Sequence, residues 1–149
     1  MPKSLVLEIV TPDRRVFGQE VDAVTAPGVA GEFTILPLHI PFLSSLRVGS
    51  IAYKRDGAAQ YVFVSGGFIE VTSSRVLVLA EVAEMPHEID IDRARKARER
   101  AEARLVEQRE AVDYARAKAA LQRAITRIRL HEMAGGGLGL VRPGKPSVP

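Results

Sequence analysis

Ile89-Asp90-Ile91-Asp92-Arg93-Ala94 opens the stretch that decides the fold, and that stretch runs to Leu130 without a Gly or a Pro. Its apolar residues recur at helical intervals: Ala94, Ala97, Ala101 and Leu105 first, then Tyr114, Ala117, Leu121, Ala124, Ile125 and Ile128. As one rod it would be ~60 Å long, at ~1.5 Å per residue, well beyond an ordinary helix. The spacing therefore predicts two helices, with Asp90 as N-cap of the first and Asp92 at the positive end of its dipole. The apolar stripe weakens at Gln108-Arg109-Glu110, which sets the bend there.

Upstream the pattern changes to short alternating runs. Leu5–Val10 reads as a strand ended by the turn residues Thr11-Pro12-Asp13-Arg14, and Gln19–Thr25 as a second stopped by Pro27-Gly28. Three prolines and two glycines between Pro27 and Phe42 leave room only for short strands and a tight apolar bend. Ser50–Lys54, Gln60–Ser65, Phe68–Thr72 and Arg75–Val82 follow, with turns at Asp56-Gly57 and Ser73-Ser74. Such spacing predicts an antiparallel β-sandwich or flattened barrel over residues 1–86. Pro86 then acts as a hinge into an antiparallel α-helical hairpin over 87–133. The Gly- and Pro-rich tail 134–149 has the composition of a disordered chain.

Composition narrows the function classes. Hydrophobic residues make up 46% of the 149 and charged residues 26%, which suits an ordinary globular protein with one core and an appendage. Zero Cys excludes a disulfide framework, thiol catalysis and thiolate metal sites. Apolar runs all fall short of a bilayer span, and Glu8 interrupts any signal-peptide core, so the expected setting is cytosolic. The net charge of +3 is unevenly placed. Tyr114 to Glu132 carries Arg116, Lys118, Arg123, Arg127 and Arg129 against Glu132 alone, which seeks an anionic partner.

Four stretches, in order and spacing, resemble one family. Pro27-Gly28-Val29-Ala30-Gly31-Glu32-Phe33-Thr34-Ile35-Leu36-Pro37-Leu38-His39-Ile40-Pro41-Phe42-Leu43 is similar to its central loop signature, and Val64-Ser65-Gly66-Gly67-Phe68-Ile69-Glu70-Val71 to its hairpin signature. Ile89–Ala94 resembles its nucleotide motif, and Ala119–Ile128 its last helix. The family is the epsilon subunit of bacterial F-type ATP synthases. The resemblance implies a non-catalytic rotor subunit whose sandwich binds the gamma subunit and the c-ring, peripheral to the cytoplasmic face of the inner membrane. It also implies that the hairpin can rise along gamma into the alpha/beta head and block ATP hydrolysis. Arg116, Lys118, Arg123 and Arg127 would then meet an acidic segment of the beta subunit. Ile40, Phe42 and Leu43 are either core or a docking face, and with His39 are the candidates for contact with gamma and the ring.

If the helices pair antiparallel about Arg109, Asp90, Arg93, Arg123 and Arg127 fall within ~2 turns of one another, with Arg100 a turn or two beyond. Gathered guanidiniums repel, so the bare hairpin is expected to be marginal and an oligophosphate to steady it. Family members that bind ATP use this constellation, and Glu84, Asp90, Arg93, Arg100, Arg123 and Arg127 occupy its positions. ATP is thus the expected regulatory ligand, and no cofactor is required. Asp90 also has a plain role as a cap, and Arg93 and Arg100 as a solvated face. Neither Gly28/Gly31 nor Gly66-Gly67 introduces a helix, so turn roles outweigh phosphate binding there. The three His are scattered, and Ser65 lacks a His-Asp context. A rival reading is a nucleic-acid binder using the basic last helix, against which stand 5% aromatic residues and the lack of any binding motif.

Overall fold

A computed structural model describes residues 4–107 and 110–136. Ten strands come first: β1 (Leu5–Val10), β2 (Arg15–Val21), β3 (Ala23–Gly28), β4 (Gly31–Ile35), β5 (Phe42–Leu46), β6 (Gly49–Arg55), β7 (Ala58–Val64), β8 (Gly67–Val71), β9 (Arg75–Leu79) and β10 (Ala83–Glu84). A 3-10 turn, Pro86–Glu88, leads into α1 (Ile91–Glu107) and α2 (Ala111–His131), and a π-helical turn spans Glu132–Gly136. The strands form one sheet in the order β10-β7-β6-β3-β5-β8-β9-β1-β2, with β4 paired to β3. This sheet folds over a common core that takes Leu7 and Ile9 from β1, Ile51 from β6, Val62 from β7 and Val78 from β9. Every pairing is antiparallel except β1 with β9. The expected sandwich followed by a helical hairpin is what the chain forms.

Alternation explains the strands. In β1 the side chains of Leu5, Leu7 and Ile9 enter the core while Val6, Glu8 and Val10 are half-buried on the other face. Asp56 (φ 52) and Gly57 (φ 79) make the two-residue turn between β6 and β7, where both central residues need positive φ.

Three sequence expectations need correction. Gln19–Thr25 is not one strand: the chain turns a corner at Asp22, so β2 pairs with β1 and β3 with β6. Asp22 is held at that corner by its own N–H donating to the Lys54 carbonyl at 2.8 Å and by the Asp56 N–H donating to its carboxylate at 3.0 Å. Pro27-Gly28 does not stop the strand but lies inside it, because the β3–β4 hairpin closes only at the Gly28–Gly31 pair. Arg75–Val82 ends early, at Leu79, and pairing resumes in β10. The bend proposed at 108–110 falls between the ends of α1 and α2. Glu110 caps α2, while Gln108 and Arg109 lie outside the described residues, as does the tail from Gly137.

Tyr53 on β6 gives the fold a titratable core position. Its ring centroid lies 4.6 Å from that of Phe17, and its hydroxyl donates to Gln60 Oε1 at 2.9 Å. Burial pushes its phenol above the ordinary 10.0, with Arg55 pulling weakly the other way. The folded chain holds that proton more tightly than the unfolded chain. Its contribution to stability is therefore whole below about pH 10 and is lost as pH climbs through the folded value. Denaturant midpoints between about pH 8 and about pH 11 are expected to fall more steeply for the parent chain than for Tyr53→Phe. Equal slopes would remove Tyr53 from the account.

Candidate functional site

The helices pack through small residues. Ala94 and Ala101 of α1 and Ala117 and Ala124 of α2 are buried, and alanines at these helical spacings let the two rods approach closely. Asp90 caps α1, since its Oδ1 accepts the Arg93 N–H at 3.0 Å and its carbonyl accepts that of Ala94 at 3.0 Å. The last turns of α2 meet the sandwich. Leu130 packs with Ile89 and Phe63, and Val48 and Tyr61 border this small apolar cluster.

Arg127 sits where helix and sandwich meet. Its Nε donates to Glu84 Oε1 at 3.1 Å and Oε2 at 3.2 Å, and its Nη2 to Oε1 at 2.8 Å. Its guanidinium carbon also lies 4.4 Å from the centroid of the Phe63 ring. Strand register explains why one arginine reaches both: Glu84 of β10 is directly opposite Phe63 of β7. The side chains of Arg127 and Glu84 keep only 24% and 23% of their surface exposed, so the pair is weakly screened.

Glu84, Asp90, Arg93 and Arg127 line a cavity of about 330 Å³, joined by Glu88. The lining does not include Arg100 or Arg123: Arg100 is exposed further along α1, and Arg123 is half-buried one turn before Arg127 on α2. Three carboxylates and two guanidiniums share the lining, so the cavity in this pose is balanced toward acid. The repulsion expected among the gathered guanidiniums is relieved in this pose at Arg127, which pairs with Glu84. Arg116 and Lys118 are exposed on α2. Among the described residues no group of His, Asp and Glu could hold a metal ion.

Phe63 was missed from sequence alone, although a signal was present. Tyr61-Val62-Phe63-Val64 is an unbroken apolar run rather than an alternating one, which marks a strand covered on both faces. The outer cover is α2.

A second surface is apolar. Ile40 is 74% exposed, Leu43 70% and Phe42 40%, which places these side chains outside the core. Phe42 stacks edge-on against Phe33 with 5.1 Å between centroids. His39 Nδ1 lies 2.7 Å from the Ile40 carbonyl oxygen. Phe68 and Leu79, both exposed and directly opposite each other on β8 and β9, extend this apolar surface along the sheet.

Comparison with known proteins agrees with this architecture. The ATP synthase delta/epsilon chain β-sandwich domain matches residues 4–86, and the long α-helix domain of the same chain matches 87–132. The ATP synthase epsilon chain of Nitratidesulfovibrio vulgaris is 61% identical over 130 residues, covering 87% of this chain and 97% of that one. That of Syntrophobacter fumaroxidans is 48% identical over 132 residues, covering 89% and 98%. In a cryo-EM structure of the Euglena gracilis mitochondrial ATP synthase (OSCP/F1/c-ring), one chain shares the fold at a TM-score of 0.71 and 24% identity, covering 82% of this chain and 78% of that one. No helix among the described residues is long and apolar enough to cross a membrane. With both domain families matched in order across residues 4–132, the chain belongs to the epsilon subunits of bacterial F-type ATP synthases.

Proposed function

We propose that the chain is a non-catalytic rotor subunit of the central stalk, couples proton translocation to ATP synthesis, and restrains ATP hydrolysis through a hairpin that moves. On this reading the sandwich docks on the gamma subunit and the c-ring through Ile40, Phe42, Leu43 and the adjoining Phe68 and Leu79, with His39 at the edge of that surface. The complex holds the chain at the cytoplasmic face of the inner membrane. The raised α2 presents Arg116, Lys118, Arg123 and Arg127 to an acidic segment of the beta subunit beside alpha.

The observation that carries this reading is the smallness of the attachment. Among the described residues one ion pair, one cation–π contact and the Phe63–Ile89–Leu130 cluster hold α2 to the sandwich, an amount that an alternative partner can match. ATP is the ligand proposed to favour the folded pose. Its phosphates would take the forks of Arg93, Arg123 and Arg127, leaving Glu84 and Asp90 as acceptors for sugar hydroxyls, with Arg100 at the outer end. Such binding senses the nucleotide and does not hydrolyse it.

Titrating the intact chain with ATP is expected to give saturable binding and slower hydrogen exchange of the α1 and α2 backbone amides, because a ligand of the folded pose suppresses opening. Arg123→Ala and Arg127→Ala are each expected to weaken binding about tenfold or more, the cost of a lost charge-assisted contact. Unchanged exchange at millimolar ATP, or unaffected binding in both variants, would overturn the sensing role.

A further inference from the structure

The geometry points to a second ligand site, for a small organic anion with a flat apolar body, in the seam of the sandwich beside the hairpin cavity, with which it shares Glu88 but no arginine. β2 ends the sheet order, and where it approaches β6 a cavity of about 430 Å³ remains, within the range of small-molecule sites. Three elements deliver nitrogen donors to it: Arg14 from the β1–β2 turn, Arg55 from the end of β6 and His87 from the 3-10 turn. The only acid in the lining is Glu88, and both of its oxygens are engaged. Oε2 is 2.6 Å from Arg14 Nη2, and Oε1 accepts the Met85 N–H at 2.9 Å.

The neutral polar groups point the same way. Gln60 Oε1 already accepts from the Tyr53 hydroxyl, and Gln19 Oε1 already accepts from Arg55, so both amides are left with NH2 donors. Among the described residues Arg55 forms no ion pair. Spare donors therefore outnumber spare acceptors, the reverse of the hairpin cavity. The wall is apolar: Val16, Phe17, the Tyr53 ring and Met85 all contribute. A carboxylate or phosphate fits the Arg55 fork while a ring lies against that wall. Charge fixes the head of the ligand, and the wall rewards its body.

The test uses the full chain, with phenyl phosphate, benzoate, inorganic phosphate and benzyl alcohol as probes. Backbone amide shifts of Gly18 and Gln60 are the readout. Phenyl phosphate or benzoate is expected to shift both saturably, inorganic phosphate to bind about tenfold more weakly or worse, and benzyl alcohol to bind undetectably. Arg55→Gln is expected to weaken binding about tenfold, and Gln60→Glu, which sets a carboxylate among the donors, at least as much. Arg123→Ala should change nothing, which separates this site from the nucleotide proposal. Absent or unsaturable shifts would overturn the site, as would affinity unchanged in both seam variants or lost in Arg123→Ala. Equal binding of phenyl phosphate and inorganic phosphate would overturn the apolar body.

Discussion

Replacing Arg127 with alanine is expected to loosen the hairpin from an intact sandwich by about 2–3 kcal/mol, a shift of roughly 30- to 150-fold in the docking equilibrium. The substitution removes a bidentate, largely sheltered ion pair and the cation above Phe63 together, and it leaves the Glu84 carboxylate without its partner. Glu84→Ala should cost less, because Arg127 keeps its place on the Phe63 ring and its head can turn to water. With no native Cys, the chain can be labelled at Ser73→Cys and Lys118→Cys without background. The distance distribution between these labels should lengthen and broaden in Arg127→Ala, and less so in Glu84→Ala. If the two variants match the parent, the Phe63–Ile89–Leu130 cluster alone fastens the hairpin and the ion pair is incidental.

Gly67→Ala is expected to destabilise the sandwich itself by about 3–5 kcal/mol, a large share of the stability of an ordinary domain. Gly67 opens β8 at φ +132, and a methyl group there would sit 2.0 Å from the Leu79 carbonyl oxygen and 2.9 Å from Ala80 Cα. Both obstacles are backbone, so no side-chain rotation relieves them, and the β8–β9 hairpin would have to separate. Gly57→Ala is the matched control: it also has a positive φ (+79), yet nothing lies within 4 Å of the added carbon. Its loss should be near 1 kcal/mol. Urea midpoints of the two variants measure the difference, and equal losses would mean that dihedral strain alone matters at Gly67.

The sequence rendered the elements better than their junctions. Strand alternation and helical spacing are local, so β1, β6, β8 and the two helices were legible to within a residue or two. Asp22 was not, because a corner between sheets is made by partners at Lys54 and Asp56, more than thirty residues away. The candidate site divided along the same line. Asp90 as a cap follows from its neighbours. The family resemblance put Glu84 and Arg127 in one site, but their direct pairing follows from a two-residue strand laid beside β7, which no local pattern in Ala83-Glu84 announces. Helix pairing alone set four arginines against the single carboxylate of Asp90, since it left the sandwich out of the electrostatics.

The aromatic ring under Arg127 also sets a recoil. When the hairpin lifts, Phe63, Ile89 and Leu130 lose one another's cover at once. At about 25 cal/mol per Å², baring roughly 100–200 Å² of such surface costs about 2.5–5 kcal/mol. A solitary chain should thus behave as a spring-loaded lever that snaps back to rest, spending about one per cent of its time or less aloft by the same arithmetic. Only a surface that grips the raised arm can hold it there, so the brake releases by default and is applied on contact.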